Sequence, residues 1–301
     1  MEKYFVWHVQ GGLGKNVAAT SLCKDIKDTY PDRKLIMVVS WPEVFLNHPN
    51  IDRVYALGQC PHFYEDYIHQ KDTVVYRHEP YNQSGHIHRK THLIHNWCDL
   101  LGIQYKEQTP KVIINYAQQQ LVGVWNRDKP IMVLHTNGGP IDGQKYPYNW
   151  CRDIPAELAQ AIVDKFHKTY HIFQICRKDS VVLENVERID QPLSNLELFS
   201  MLANSKKRVL IDSCLQHGAG AMNMPSTVLW IANEPEVWSY PLHNHILPSV
   251  EKKFNTPARD LYQRYDIAGA TDEYPYDTDD IFDVDKIVSS VEKQIYENGV
   301  E

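Results

Sequence analysis

The 301-residue sequence predicts an α/β protein built on parallel sheets. Three observations carry that expectation. Short apolar runs alternate with segments of helical periodicity along the whole chain. The runs are continuously apolar, as strands covered on both faces are. Glycine-bearing or polar turns follow several runs just where a helix should start.

Residues 4–9 read as the first strand, followed by the turn Gln10-Gly11-Gly12-Leu13-Gly14-Lys15-Asn16. Residues 17–30 follow with helical spacing, Val17, Leu22 and Ile26 forming the apolar side. Residues 35–39 are a second strand, 41–46 a short helix, 50–55 a third strand and 73–76 a fourth. Residues 87–101 are helical and end at Gly102, a suitable C-terminal cap. The polar, glutamine-rich stretch 104–126 marks a domain boundary.

A second α/β series then begins. Residues 131–135 form a strand, and Thr136-Asn137-Gly138-Gly139 is its turn. A helix over 154–170 enters through Pro155, a strand covers 171–176 and a helix 196–203. Val209-Leu210-Ile211 is the next strand, with Asp212 and Ser213 at the N-cap of a helix whose Gly218-Ala219-Gly220-Ala221 carries little side-chain bulk. That spacing lets a ligand or another backbone approach closely. Pro225 closes this helix and residues 228–231 return as strand. Residues 271–285 read as an acidic exposed tail, 284–296 as a terminal helix, and Lys206-Lys207-Arg208 as a solvated corner. The expected organisation is an N-terminal domain over 1–122, a C-terminal domain over 128–283, and a helix over 284–301 packing back on the N-terminal domain.

The formal net charge of −7 disfavours nucleic acid or anionic membrane as a partner of the whole molecule, while leaving room for a local basic patch. The cysteines Cys23, Cys60, Cys98, Cys151, Cys176 and Cys214 form no C-x-x-C pair, which fits free thiols in a reducing cytoplasm. No signal peptide or membrane-length apolar run is expected.

The strand-to-helix turn at Asp212 is the chief candidate site. Free N–H groups at a helix start, set beyond the carboxyl end of a parallel strand, suit a phosphate. His217 is expected to face that phosphate. The first turn admits a nucleotide-binding P-loop reading, but Asn16 stands where such a loop needs a Ser or Thr hydroxyl for magnesium. Its backbone amides and Lys15 could instead contact an acceptor or the donor's phosphate across a cleft.

An ordered set of segments goes further: Tyr30-Pro31-Asp32-Arg33-Lys34, His48-Pro49-Asn50-Ile51-Asp52-Arg53-Val54, a leucine-rich helix over 193–203, then Asp212-Ser213-Cys214-Leu215-Gln216-His217-Gly218-Ala219. In this order the chain resembles the heptosyltransferase-like family of GT-B glycosyltransferases, typified by ADP-heptose:lipopolysaccharide heptosyltransferase. The resemblance implies a GT-B fold, two Rossmann-like domains whose parallel sheets face across a cleft, with nucleotide-sugar donor on the C-terminal domain and acceptor on the N-terminal one. It puts Asp212, Ser213 and His217 on the donor motif and Lys145 on the phosphate-side lysine. Asn137, Gly138, Cys214 and Glu234 complete the expected donor set. Cys214 replaces the motif's glycine, and Lys15 stands where the family has an aspartate proposed as catalytic base.

A replacement base is therefore needed. Glu79, beyond the 73–76 strand, is the first candidate and His8 the second, with Lys15 beside them. Gly11, Gly12, Gly14, Asn16, His78 and Tyr81 are the acceptor-side candidates. The expected chemistry is inverting sugar transfer to a hydroxyl, with no cofactor or metal. The acceptor stays open between a glycan, a protein and a hydroxymethylated or glycosylated base of viral DNA, the chain fitting a divergent, virus-encoded branch working in the host cytoplasm. Rival readings are a P-loop-like ATPase using Gly11 to Asn16, and an inactive GT-B binding module. His86, His88, His92 and His95 invite a metal reading, His88 and His92 sharing a helix face, but zinc needs more ligands at matching spacing.

Overall fold

The computed structural model describes residues 1–106, 109–114, 123–139, 152–253, 274 and 276–294. The chain divides into two compact units, one centred on Met1–Asn115 and the other on Tyr116–Ala219 with Asn223–Glu301.

In the first unit, the described residues form β1 (Lys3–Val9), α1 (Leu13–Ala19), α2 (Cys23–Thr29), β2 (Lys34–Val39), β3 (Arg53–Ala56), α3 (Phe63–Tyr67), β4 (Asp72–Tyr76), α4 (Ser84–Ile87) and α5 (Leu93–Leu101). The strands are all parallel, in the order β3-β2-β1-β4. β1 is central and almost wholly buried. Its pleat sends Tyr4 and Val6 to one face, where they join Ile36, Val38 and Tyr67. On the other face Trp7 meets Trp97 of α5 edge to face, with ring centroids 5.5 Å apart. Burying an aromatic or branched side chain of this kind contributes about 1.5–3 kcal/mol, which is why this apolar run is the sheet's axis.

The helix after the glycine turn starts at Leu13, not residue 17, so Gly14, Lys15 and Asn16 are helical. It passes through a tight 3-10 turn at Thr20–Leu22 before α2. The expected helix over 87–101 is interrupted. His92 caps α5 by accepting from the Ile94 amide at 3.2 Å, which puts His88 outside that helix. His88 and His92 thus share no helix face, and among the described residues no group of three or more His, Cys, Asp or Glu is placed to hold a metal ion.

The second unit contains β5 (Ile131–His135), α6 (Ala156–Phe166), β6 (His171–Ile175), β7 (Glu187–Ile189), α7 (Asn195–Asn204), β8 (Lys207–Ile211), α8 (Cys214–Ala221), β9 (Thr227–Leu229), α9 (Pro235–Trp238), β10 (Asn244–Ile246) and α10 (Val284–Glu292). Its strands are parallel in the order β10-β9-β8-β5-β6-β7. The edge strands β7 and β10 are short and polar, so they lack the apolar signal that marks the central ones. α7 opens on a reciprocal cap, Ser194 and Glu197 each bonding the other's backbone amide.

Four expectations change here. The small residues of α8 serve helix packing: a Cβ at Gly218 would lie 2.6 Å from Cε1 of Phe199 on α7. The acidic stretch before α10 is not simply exposed, because Tyr276, Ile281 and Phe282 are core residues. α10, expected to reach back to the N-terminal half, packs Ile287 and Val291 into the core of the second unit. Arg208 is also fully buried rather than solvated. It donates to the Ser205 and Pro225 carbonyls, and the Gln294 side chain bridges to its backbone.

Candidate active site

In each sheet the strand order reverses beside the first strand. That reversal opens a crevice outside the carboxyl ends of the strands, where open α/β sheets bind ligands. In the first unit the crevice lies between β1 and β4, in the second between β5 and β8.

At the first crevice the turn after β1 and the loop after β4 meet. Lys15 Nζ donates to both carboxylate oxygens of Glu79, each at 2.6 Å. The lysine is nearly buried, whereas the Glu79 side chain is 36% exposed. Tyr81 lies beneath the ammonium, its ring centroid 4.5 Å from Nζ, and stacks in turn on His86. Burial lowers the Lys15 pKa, against the opposing pull of Glu79. Burial, with Arg89 and Lys15 nearby, brings His86 down to about 4, so its imidazole is neutral at pH 7. Gln10, with its amide oxygen turned toward Arg77, accepts from Nη2 at 2.8 Å and ties the same two loops again.

The turn itself is held from several sides. The Gly11 amide donates to Ser40 Oγ at 3.1 Å, and its carbonyl accepts from Trp41 Nε1 at 3.0 Å. Asn16 Nδ2 folds back onto the Gly11 and Gly12 carbonyls. Gly11 has φ +111°, a conformation that side-chain-bearing residues rarely adopt. This is not the geometry of a phosphate-cradling loop: the lysine is taken by Glu79 and the helix-start side chain is spent on its own turn. His78 is exposed on the β4 loop. His8 lies on the Tyr4 face of β1, edge-on to Phe63 at 6.3 Å. Its pKa is lowered by burial and by Arg77, and its Nδ1 has no partner among the described residues.

At the second crevice, Asp212 and Ser213 lead from β8 into α8 and Thr136-Asn137-Gly138 leaves β5. Asp212 accepts from Asn233 Nδ2, and His217 Nδ1 pairs with the Tyr240 hydroxyl at 2.8 Å. Both Asp212 and His217 are buried. Cys214 is half-buried, and burial raises its thiol pKa. Glu234 is half-buried at the start of α9. Lys145 lies outside the described residues. A cavity of about 120 Å³ is walled by Asn137, Ile175, Cys176, Ile189, Leu193, Ser213, Cys214 and others.

Beneath the Gly138 turn is a device that motif reading missed. The Gly138 amide donates to Asp153 Oδ1 and its carbonyl accepts from Arg177 Nη1, both at 2.8 Å. Arg177 Nη2 closes the triangle on Asp153 Oδ2 at 2.8 Å, and the ion pair is 1% and 0% exposed. Arg152 lies so close over Gly138 that an added Cβ would sit 2.1 Å from its Cδ. His135, directly before the turn, is held at a pKa of about 3, mainly by burial. The available signal was positional: Arg177 stands just past the carboxyl end of β6, where a buried charge is rarely without purpose.

No protein-family model matches the sequence, and no curated protein resembles it in sequence. Solved structures do resemble the fold. A glycosyl transferase family 9 structure from Veillonella parvula superposes with a TM-score of 0.66 at 10% identity, covering 98% of each chain. The dodecameric iron-containing heptosyltransferase TibC from enterotoxigenic E. coli, solved in complex with ADP-D-beta-D-heptose, gives a TM-score of 0.69 at 13% identity over 100% of this chain and 81% of its own. E. coli heptosyltransferase WaaC with ADP gives 0.54 at 13% identity, covering 81% of this chain and 93% of its own. Two all-parallel sheets and coverage of nearly the whole chain show that this protein has the α/β fold of family 9 glycosyltransferases and heptosyltransferases.

Proposed function

We propose that the chain is a glycosyltransferase that moves a sugar from a nucleoside-diphosphate sugar to an acceptor hydroxyl. The observation that carries the reading is the second unit's crevice. There the start of α8, Asp212, Ser213 and the Gly138 turn converge where strand order reverses, in a fold shared with structures that hold ADP and ADP-heptose. The diphosphate would lie against the α8 start and Asn137, with Lys145 as the matching cation from the sequence. The Asp153–Arg177 pair keeps the turn rigid, so little reorganisation accompanies charge build-up on the leaving group.

Glu79 is the base in this reading. Its carboxylate takes the acceptor hydroxyl's proton as that oxygen attacks the anomeric carbon. The bond from that carbon to the diphosphate oxygen breaks, its electron pair leaves with the diphosphate, and configuration inverts. Lys15 is then the counterion that positions Glu79, not a bare phosphate ligand. The carboxylate absent from the glycine turn is supplied in space by the β4 loop. His8 is the weaker candidate because its ring lies edge-on to Phe63 on the Tyr4 face of β1. Gly11, Gly12, Gly14, Asn16, His78 and Tyr81 frame the acceptor side, a glycan being the acceptor most consistent with the net charge.

The test is turnover of a panel of nucleotide sugars, with release of nucleoside diphosphate as readout and EDTA-treated protein alongside. Release that depends on Asp212 and His217, and persists after EDTA, is the expected result. Hydrolysis of ATP lost on Lys15→Ala, without sugar-nucleotide turnover, would sink the reading in favour of an ATPase.

A further inference from the structure

Asn137 lines two cavities, the one described above and a second of about 230 Å³ walled by Thr136, Ile154, Gln174, Ser180 and Leu183. Its carboxamide oxygen lies at the end of a relay of hydrogen bonds. Gln174 Nε2 donates to Thr136 Oγ1 at 3.2 Å. Thr136 Oγ1 donates on to Asn137 Oδ1 at 2.8 Å, and Ser180 Oγ donates to the same oxygen at 2.7 Å. Thr136 and Gln174 are 3% and 1% exposed, so water does not substitute for these partners. An amide N–H cannot accept, so Gln174 fills one of the two lone pairs on the threonine oxygen and leaves its proton for an acceptor. That acceptor is the asparagine oxygen, since the alternative Ile175 carbonyl lies at 3.4 Å. With both hydroxyl protons on Oδ1, the two hydrogens on Nδ2 are left for a ligand. The loop carrying Ser180 is itself secured, because Arg188 Nη2 donates to the carbonyls of Arg177, Lys178 and Ser180.

We infer that Ser180 and Thr136 are positioning residues that fix Asn137 with its amide hydrogens toward the donor, so that Asn137 donates to a diphosphate oxygen. This rests on the proposed donor site and adds what the sequence motif does not contain: a specificity contact ordered from the loop after β6. A diphosphate accepts such bonds, whereas a phosphate-free nucleoside offers no acceptor at this position. The inference therefore selects nucleoside diphosphates over nucleosides.

Isothermal calorimetry on the full chain tests it, with ADP, GDP, UDP and CDP as probes and the tightest binder carried forward beside its nucleoside. Loss of one ordered hydrogen bond predicts that Ser180→Ala weakens diphosphate binding by about 3- to 10-fold. Ser180→Thr should retain binding within about twofold, because the hydroxyl is retained, and nucleoside binding should not change. In an Asn137→Ala background Ser180→Ala should have no further effect, a coupling that a merely structural role would not show. Equal losses for Ser180→Ala in both backgrounds, or none in either, overturn the inference while leaving the donor site standing. Absence of binding by all four diphosphates overturns the donor site and the inference with it.

Discussion

The two units solve the same problem in opposite ways. Each has a glycine turn at the carboxyl end of its first strand, beside the reversal of strand order. In the first unit the turn's Lys15 is buried but holds a carboxylate from the neighbouring loop, that of Glu79, which is partly exposed. In the second unit the charges are beneath the turn, as the closed Asp153–Arg177 pair, and a neutral amide, Asn137, lies above. Buried ion pairs are costly to form and worse to break. They suit a turn that must not move. A carboxylate that is to accept a proton must stay reachable, and Glu79 does. The comparison sets a closed, buried pair under one turn against a reachable carboxylate, the proposed base, beside the other.

The largest expected effect breaks the chemical half. Glu79→Gln retains shape and removes the proposed base, so transfer should fall roughly 10²- to 10⁴-fold in kcat, with donor affinity unchanged. Unchanged kcat would make Glu79 no more than a counterion for Lys15. The rigid half is broken by Asp153→Ala, which removes the buried carboxylate closest to the Arg177 guanidinium and should cost about 3–5 kcal/mol in urea unfolding. Glu79→Gln in the same assay should cost no more than about 1 kcal/mol, because its carboxylate is partly solvated. Similar losses for the two variants would erase the distinction between the crevices.

A third effect separates them by pH. His135 lies under the second turn at a pKa of about 3, and His86 lies beside Tyr81 in the first unit at about 4. Both are depressed from the ordinary value near 6.5. The unfolded chain takes up a proton as pH falls through 6.5 while the folded chain does not. Their stabilising contributions are therefore complete above pH 6.5 and are lost as pH drops toward about 3 and about 4. His135→Asn should flatten the loss of stability between pH 7 and 4 by on the order of 1–3 kcal/mol. His86→Asn should flatten it over the same window, and the stability difference it makes should stay constant below about pH 4. A pH slope unaffected by either change would mean that carboxylates alone drive acid unfolding.

The central strands and the order of motifs were legible in the sequence because buried parallel strands are written as continuous apolar runs such as residues 35–39 and 209–211. The edge strands β7, Glu-Arg-Ile, and β10, Asn-His-Ile, were not, since neither carries such a run. Individual site residues such as Glu79 could be named, but their pairing could not. Nothing in the spacing of Lys15 and Glu79 says that two parallel strands bring them to 2.6 Å. The Asp153–Arg177 clamp and the Ser180 contact on Asn137 were invisible for the same reason: each joins residues from separate loops. In the sequence Gly218 reads as room for a ligand or another backbone, yet that space is filled by the Phe199 side chain. A small residue reports close approach without saying of what.

The smallest effects lie within the first turn and sharpen its role. At Gly11, φ is +111° and an added Cβ would stand 3.2 Å from Lys15 Cδ. Gly11→Ala should therefore cost about 1–3 kcal/mol in unfolding and disturb the Lys15–Glu79 pair. At Gly12 the backbone is extended, φ −65° and ψ 163°, and nothing lies within 4 Å of an added Cβ. Gly12→Ala should therefore change stability by no more than about 0.5 kcal/mol, as for an unencumbered surface site. That silence makes it a clean probe of the acceptor. If an acceptor approaches the exposed start of α1, the methyl group raises its KM while kcat, donor affinity and unfolding stay as they were. If acceptor KM is unmoved as well, the turn serves only to set Lys15 beneath Glu79, and the acceptor is held by other parts of the chain.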